Sequence, residues 1–383
     1  MKVSVLCFDV SDNAAGRAHL LARLLAPIAS VEVVGPRHGT GVWAPVAGED
    51  VTYVGVPAGR LPSFAAALPA LLRAADGDLL YASKPRLGSA GVAFLKRRLG
   101  RRPLLLDIDD WEVGFFLRGG AWGVAGRALN WGNPRGLPWT WLMERAARAA
   151  DAITVASRFL QERFGGTLIP HVRDTDAWRP GAVDGREIRE RLGVGARRLV
   201  MFLGTAREHK GVDDLVEALE RLGRADLVLA LVGTDPESAA GRRLRARWPR
   251  LTLVPPIPVA AIPRFLEAAD VVAVPQRDTA DTRGQVPAKL FDAMALGRPI
   301  VSTRVSMIPE ILDGCGLVVS PGDVSALGAA LARVADDAAL ARELGARARA
   351  RCVEHYSYAR ARKDLFPLID RLLGRAATTA RRP

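Results

Sequence analysis

Short, continuous apolar runs alternate with longer stretches of helical periodicity along most of the chain. KVSVLCFDV (2–10) precedes a helical pattern over 14–28, and VEVVGP (31–36) follows it. DLLYAS (78–83), a helix over 91–100 and PLLLDID (103–109) continue the series. An amphipathic helix ending near 150, DAITVAS (151–157) and a short helix over 158–165 complete the first half. Runs without polar alternation, such as PLLLDID, suit strands buried on both faces, and the strand–helix–strand rhythm is that of a helix-covered parallel sheet.

The rhythm breaks at DTDAWRPGAVDG (174–185), where two glycines and a proline interrupt any apolar period. It restarts with RRLVMFLGT (197–205), a helix over 211–222, DLVLALVGT (226–234), LTLVPPI (251–257) and a helix over 260–268. DVVAVPQ (270–276), a helix over 287–296, RPIVSTR (298–304), GLVVSPGD (316–323) and a helix over 323–337 finish a second α/β unit. The pattern predicts an α/β fold of two Rossmann-like, doubly wound domains facing each other across a cleft, bounded at 1–178 and 179–349. In such sheets ligands bind outside the carboxyl ends of the strands. The length, 383 residues, agrees with two cores rather than one.

The net charge is +13, with KRRLGRR at 96–102 and eleven Lys/Arg against four Asp/Glu between Arg342 and Arg382. Such a balance favours polyanions, among them anionic lipid headgroups. No nucleic-acid-binding module is recognisable, and the basic residues are not interleaved with stacking aromatics, so nucleic acid is not the expected partner. The three cysteines are far apart, show no metal or disulfide spacing and fit a reducing, cytoplasmic setting. No apolar run approaches the ~18–20 residues that span a bilayer, so any membrane contact is expected at its surface, on the inner face. The stretch 111–141 holds five of the eight tryptophans and seven glycines, a composition suited to an acceptor pocket (Trp111, Trp122) or to a bilayer interface.

Two segments carry chemistry. In LGTAREHKG (203–211) a strand ends at Gly204 and Thr205, the loop holds Arg207 and Lys210, and Gly211 opens a helix. Two cations beside a helix N-terminus would neutralise a diphosphate leaving group without a metal. In GQVPAKLFDAMALGRP (284–299), Gln285, Val286 and Pro287 lead into a helix on which Lys289 and Asp292, with Leu290 between them, share a face. A carboxylate at 292 can accept hydrogen bonds from two ribose hydroxyls.

These segments resemble the retaining glycosyltransferases of the large family 4 group. That family carries a strand–Gly–basic loop ending in Lys-Gly, matched by Gly204, Arg207, Lys210 and Gly211. It also carries an acidic helix matched by DAMALGRP (292–299), then a segment matched by IPEILDGCGLVVSPGD (308–323). The resemblance is close over 200–350 and looser before. It implies the GT-B fold, a nucleotide-sugar donor (UDP-, GDP-, ADP- or TDP-linked) held by the second domain and transfer with retention. No metal or other cofactor is implied, and the last segment, 350–383, returns as a helix to the first domain before a basic tail. The acceptor, a small molecule, lipid or glycan, is expected on the first domain.

Several positions depart from the family pattern. Its first helix-preceding acid is Gly284 here, with Asp278 or Asp281 as substitutes. Its Gly-rich first loop is reduced to Gly16 in SDNAAGR, and VRDTD (172–176) stands for Asn-Gly-Val-Asp. In the first half, Asp109 and Asp110 end a strand, where they suit sugar or acceptor hydroxyls, and His171 precedes the linker. Asp107-Ile-Asp109 also reads as the D-x-D of metal-dependent glycosyltransferases, a rival reading that leaves Arg207 and Lys210 without a task. A non-catalytic GT-B scaffold and a nucleotide-sugar epimerase remain alternatives. The absence of G-x-G-x-x-G after the first strand speaks against a dinucleotide oxidoreductase.

Overall fold

A computed structural model describes residues 1–117 and 120–374. The basic end of the chain, 375–383, lies outside them. The chain forms two compact units, Met1–Pro170 together with the segment from Ala361, and His171–Arg360.

The first unit holds a seven-stranded, wholly parallel sheet. Its strands are β1 (Lys2–Leu6), β2 (Ser30–Arg37), β3 (Thr52–Pro57), β4 (Leu79–Ser83), β5 (Leu104–Ile108), β6 (Ala152–Val155) and β7 (Thr167–Leu168). The order is β3-β2-β1-β4-β5-β6-β7, so the winding reverses between β1 and β4. β4 and β5 are buried at every position, as unbroken apolar runs require when helices cover both faces. The first strand stops at Leu6, four residues short of expectation. Asp9 takes the chain into a turn by accepting from the backbone N–H and hydroxyl of Ser11 at 2.9 and 2.5 Å. Cys7 is a buried thiol, as expected.

The second unit repeats the plan with β8 (Arg198–Leu203), β9 (Leu227–Val232), β10 (Thr252–Val254), β11 (Val271–Val274), β12 (Ile300–Thr303) and β13 (Leu317–Val319). The sheet is again parallel, in the order β10-β9-β8-β11-β12-β13. Phe202, Leu229, Val271 and Val301 pack in one core with Leu215 and Leu219 of the Val212–Leu222 helix and Leu331 of the Val324–Asp336 helix. The winding reverses between β8 and β11, and the loops leaving these two strands are 204–211 and 275–287. The two segments singled out in the sequence therefore leave adjacent strands at the switch point, where open α/β sheets bind ligands. No helix among the described residues is long and apolar enough to cross a membrane.

Candidate functional site

The centre of the second unit is built on close backbone approach. Gly204, at the end of β8, has φ +119, and a Cβ added there would lie 3.3 Å from Lys289 Nζ and 3.5 Å from Lys210 Nζ. Two ammonium groups thus converge over one glycine. Gly211 has φ +65, and a Cβ there would lie 1.7 Å from the Pro275 carbonyl oxygen. Only glycine lets the loop after β8 turn back against the end of β11 and start the Val212–Leu222 helix.

Lys289 enters from the opening turn of the Ala288–Ala295 helix, which Pro287 precedes as N-cap. Its Nζ stands 3.6 Å from the ring centre of Phe202 in β8. Desolvation first, and the charge of Lys210 second, hold the Lys289 ammonium well below the ordinary lysine range, against the opposing pull of Asp292. An anion between Lys210 and Lys289 would relieve both effects. Arg207, in the same loop, is exposed. Thr205 is exposed, Gln285 half-buried, and Val286 and Leu290 are core residues of the segment.

Asp292 is buried and ion-paired with Arg173, whose Nε donates to Oδ1. Burial pushes this carboxyl up, while Arg173 and then Lys289 hold it down. The Arg173 backbone is pinned to the chain around Ser357: its N–H donates to the Tyr356 carbonyl oxygen and its carbonyl accepts from Tyr358 N–H. Sequence reasoning missed Arg173, although it stands inside the quoted VRDTD segment. The signal was a cation in the segment that stands for the family's Asn-Gly-Val-Asp.

Of the two proposed substitutes for the missing acid, Asp281 is buried, accepts from the Thr279 hydroxyl at 2.6 Å and has Oδ2 3.9 Å from His209 Nδ1. The His209 carbonyl accepts from Arg277 N–H at 2.9 Å. Asp281 therefore helps join the loop after β11 to the loop after β8. Asp278 is a surface partner of Arg283. Gly284 is buried.

The first unit gathers charge where β1, β4 and β5 end. Lys84, which follows β4 with φ +72, places Nζ 2.7 Å from Asp109, 2.7 Å from Asp110 and 2.9 Å from Glu112. Burial opposes its charge, but the three carboxylates outweigh burial and hold it well above the ordinary lysine range. Arg86 pairs with Glu112 at 3.0 Å. Burial raises the Asp109 carboxyl, against the pull of Lys84. Asp109, Asp110 and Glu112 are close enough together to surround a cation, and the Lys84 ammonium lies among them.

The other half of the D-x-D pair belongs elsewhere. Asp107 is fully buried, accepts from Arg17 Nε and Nη2 at 2.9 and 2.8 Å, and also accepts from the Thr154 hydroxyl. Its carboxylate stands with Arg17 and not with the Lys84 group.

The remaining predicted residues scatter. Gly16 lies in the Ala14–Leu25 helix against Trp43. Trp111 is half-buried, 5.7 Å from Phe159, with the Arg163 guanidinium 4.8 Å over its ring. Trp122 is 92% exposed. His171 belongs to the second unit, 6.4 Å from the Phe291 ring.

Comparison with known proteins agrees with this geometry. Residues 14–175 match the family described as "Glycosyl transferase 4-like domain", and 197–337 match "Glycosyl transferases group 1". A GDP-mannose-dependent alpha-(1-6)-phosphatidylinositol monomannoside mannosyltransferase of Mycolicibacterium smegmatis is 29% identical over 69% of this chain and 69% of its own length. A D-inositol 3-phosphate glycosyltransferase of Xylanimonas cellulosilytica is 31% identical over 63% of this chain and 60% of its own. Among solved structures, Anabaena Alr3699/HepE in complex with UDP-glucose superposes with TM-score 0.75 at 17% identity, covering 97% of this chain and 100% of that one. Sucrose-phosphate synthase from Thermosynechococcus elongatus gives 0.73 at 20% identity, covering 98% and 99%. At these identities the structures speak to fold alone, and the fold is GT-B. The chain belongs to the group 1 glycosyltransferases, family 4-like in type, and is a transferase that draws on a nucleotide-sugar donor.

Proposed function

We propose that the second unit holds the donor diphosphate between Lys210 and Lys289, beside Gly204, and that the enzyme passes the sugar to an acceptor hydroxyl with retention and without a metal. The observation that carries this reading is the convergence of the two ammonium groups over Gly204. Charge grows on the diphosphate as the glycosidic bond breaks, and fixed cations that meet it there lower the barrier. Arg207 reaches the same anion from the loop, and the opening turn of the Ala288–Ala295 helix adds its dipole. Asp292, oriented by Arg173, accepts from the ribose hydroxyls. Same-face attack needs no protein nucleophile.

The metal-free reading is supported by Asp107, which is committed to Arg17 and Thr154, and by Lys84, which supplies the cation among Asp109, Asp110 and Glu112. Asp109 and Asp110 of the first unit are the acceptor-facing carboxylates of this proposal. The acceptor is a small molecule, lipid or glycan, and the reaction runs in the cytoplasm. The GDP-mannose-dependent relative puts GDP-linked donors first, then UDP-, ADP- and TDP-linked ones.

The test is a transfer assay across these donors and a panel of acceptor alcohols, with the anomeric configuration of the product read by NMR. Lys210→Ala is expected to lose at least about 100-fold in kcat with an unchanged melting temperature, the scale of one oxyanion-type donor. An active Lys210→Ala variant, or an inverted product, would sink the proposal. Consumption of donor sugar without acceptor product would favour the epimerase reading.

A further inference from the structure

The Trp-rich stretch that the sequence could not place leaves several large apolar side chains exposed on the first unit. The Leu137–Ala146 helix presents Trp141 and Leu142 outward, and both are exposed. The Gly120–Ala128 helix packs against it. That helix and the loop after it add Trp122 at 92% exposure and Leu129 at 80%. Trp131, half-exposed, stands edge-on to Trp139, 5.5 Å away. Large rings are seldom left so open to water on a soluble surface, and several together mark a contact site.

Arginines flank this ridge on both sides. On one side lies a hollow of about 400 Å³ whose lining includes Arg145, Arg148 and Arg163. Arg145 stacks on Trp141 at 5.0 Å, and Arg163 on Trp111 at 4.8 Å. A stacked guanidinium is weakly hydrated and keeps an N–H edge for a phosphate oxygen. On the other side a hollow of about 1030 Å³ is lined by Arg97, Arg98, Arg101, Arg102 and Arg371. Both volumes reach the scale of cavities that hold organic ligands, ~300–1,000 Å³. The two linings hold one acid each: Glu144, and Asp151, which already pairs with Arg97 at 2.6 Å. Leu99, 70% exposed, continues the apolar surface on the Val92–Gly100 helix beside the second hollow.

From this arrangement we infer that the face formed by the Val92–Gly100, Gly120–Ala128 and Leu137–Ala146 helices docks on an anionic phospholipid bilayer. Trp122, Trp141 and Leu142 enter the interface, and the two arginine hollows receive headgroup phosphates. Tryptophan and leucine prefer the depth between headgroup and acyl chain, while arginine is drawn to the negative surface. Charge complementarity selects the partner: eight arginines line the two hollows against two acids, and the apolar ridge between them has no counterpart in a soluble anion. The attachment is peripheral, since no described helix can span. The inference rests on this surface and not on the transfer reading.

Sedimentation with vesicles of phosphatidylcholine, with and without phosphatidylglycerol, tests it. The whole chain is expected to bind the mixed vesicles, to release in high salt and to bind the neutral ones weakly. Each surface arginine contributes about 1 kcal/mol to such binding, so Arg145→Ser/Arg148→Ser should lower the partition coefficient about 30-fold. Trp141→Ser/Leu142→Ser should lower it on both lipid mixtures, and brominated lipid should quench the tryptophan emission of the parent but less so that of this variant. Unchanged melting temperature and unchanged nucleotide binding in both variants would show that fold and donor site are intact. The inference is overturned if the parent ignores mixed vesicles. It is equally overturned if binding survives both double substitutions, or if the arginine-dependent ligand proves to be an oligonucleotide that competes off all vesicle binding while Trp141→Ser/Leu142→Ser binds vesicles as the parent does.

Discussion

Lys289→Met separates catalysis from stability. The substitution keeps an unbranched side chain, one atom short of the Nζ that faces Phe202, and removes a charge that burial and Lys210 disfavour. The empty protein should therefore gain stability, with a higher melting temperature. Transfer should suffer. A unit charge about 4 Å from a phosphate oxygen interacts by about 4 kcal/mol at an effective dielectric near 20. If about half of that develops only as the bond breaks, kcat falls by roughly 2 kcal/mol, or about 30-fold. Nucleoside diphosphate affinity should fall as well, while nucleoside affinity stays near that of the parent. The same physics sets a pH dependence. Lys289 has a lowered pKa when the site is empty, so above that pKa diphosphate binding takes up a proton. Affinity therefore falls as pH rises through that lowered pKa, below the ordinary lysine value of 10.5. Titration calorimetry in buffers of different ionisation enthalpy measures the uptake. A variant with a lower melting temperature and undiminished kcat would refute the argument, as would a diphosphate affinity that does not fall as pH rises toward the ordinary lysine value.

Two further substitutions probe buried charge. Arg173→Ala leaves Asp292 buried without its ion-pair partner and should cost about 3 kcal/mol, as removing one member of a buried pair does, read as a denaturation midpoint. It should also weaken nucleoside binding, because Asp292 loses its orientation. Glu144 is a carboxyl that burial lifts from 4.5 to about 7. Arg163, Glu112, Trp111 and the Val113 N–H act on it from the surrounding elements, and Arg145 and Arg148 line the same hollow. A raised carboxyl pKa penalises the charged form in the fold. The cost is absent below about pH 4.5 and complete above about pH 7. Glu144→Gln should therefore stabilise the protein by up to about 3 kcal/mol at pH 8 and hardly at all at pH 5, measured by chemical denaturation.

The second unit was the more legible half because its chemistry sits in contiguous segments. Gly204, Lys210, Lys289 and Asp292 fall in two short motifs, and parallel-sheet topology brings the loops of β8 and β11 together without any long-range guess. Arg173 was invisible because its partner lies 119 residues away. In the first unit the strand ends were legible but their pairings were not. Lys84 gives no sign in DLLYASK that it will collect three carboxylates, and Arg17 gives none that it will claim Asp107 from the D-x-D pair. β3 escaped because TYVGVP is a half-exposed edge strand containing Gly55 and Pro57, with no unbroken apolar run. The Ser63–Ala74 helix escaped with it, since Pro69 interrupts its period. The tryptophans of 111–141 showed an anomaly in composition, but only the packed helices reveal that several of them point outward together.

The central claim is a metal-free diphosphate site in the second unit, and calorimetric titration of the parent and of Lys210→Ala with UDP, GDP, ADP and TDP, each with and without EDTA, tests it most directly. The account predicts that at least one of them binds, that EDTA changes nothing, and that Lys210→Ala weakens binding at least tenfold. Failure of all four to bind, binding that requires a divalent ion, or undiminished binding by Lys210→Ala would contradict it.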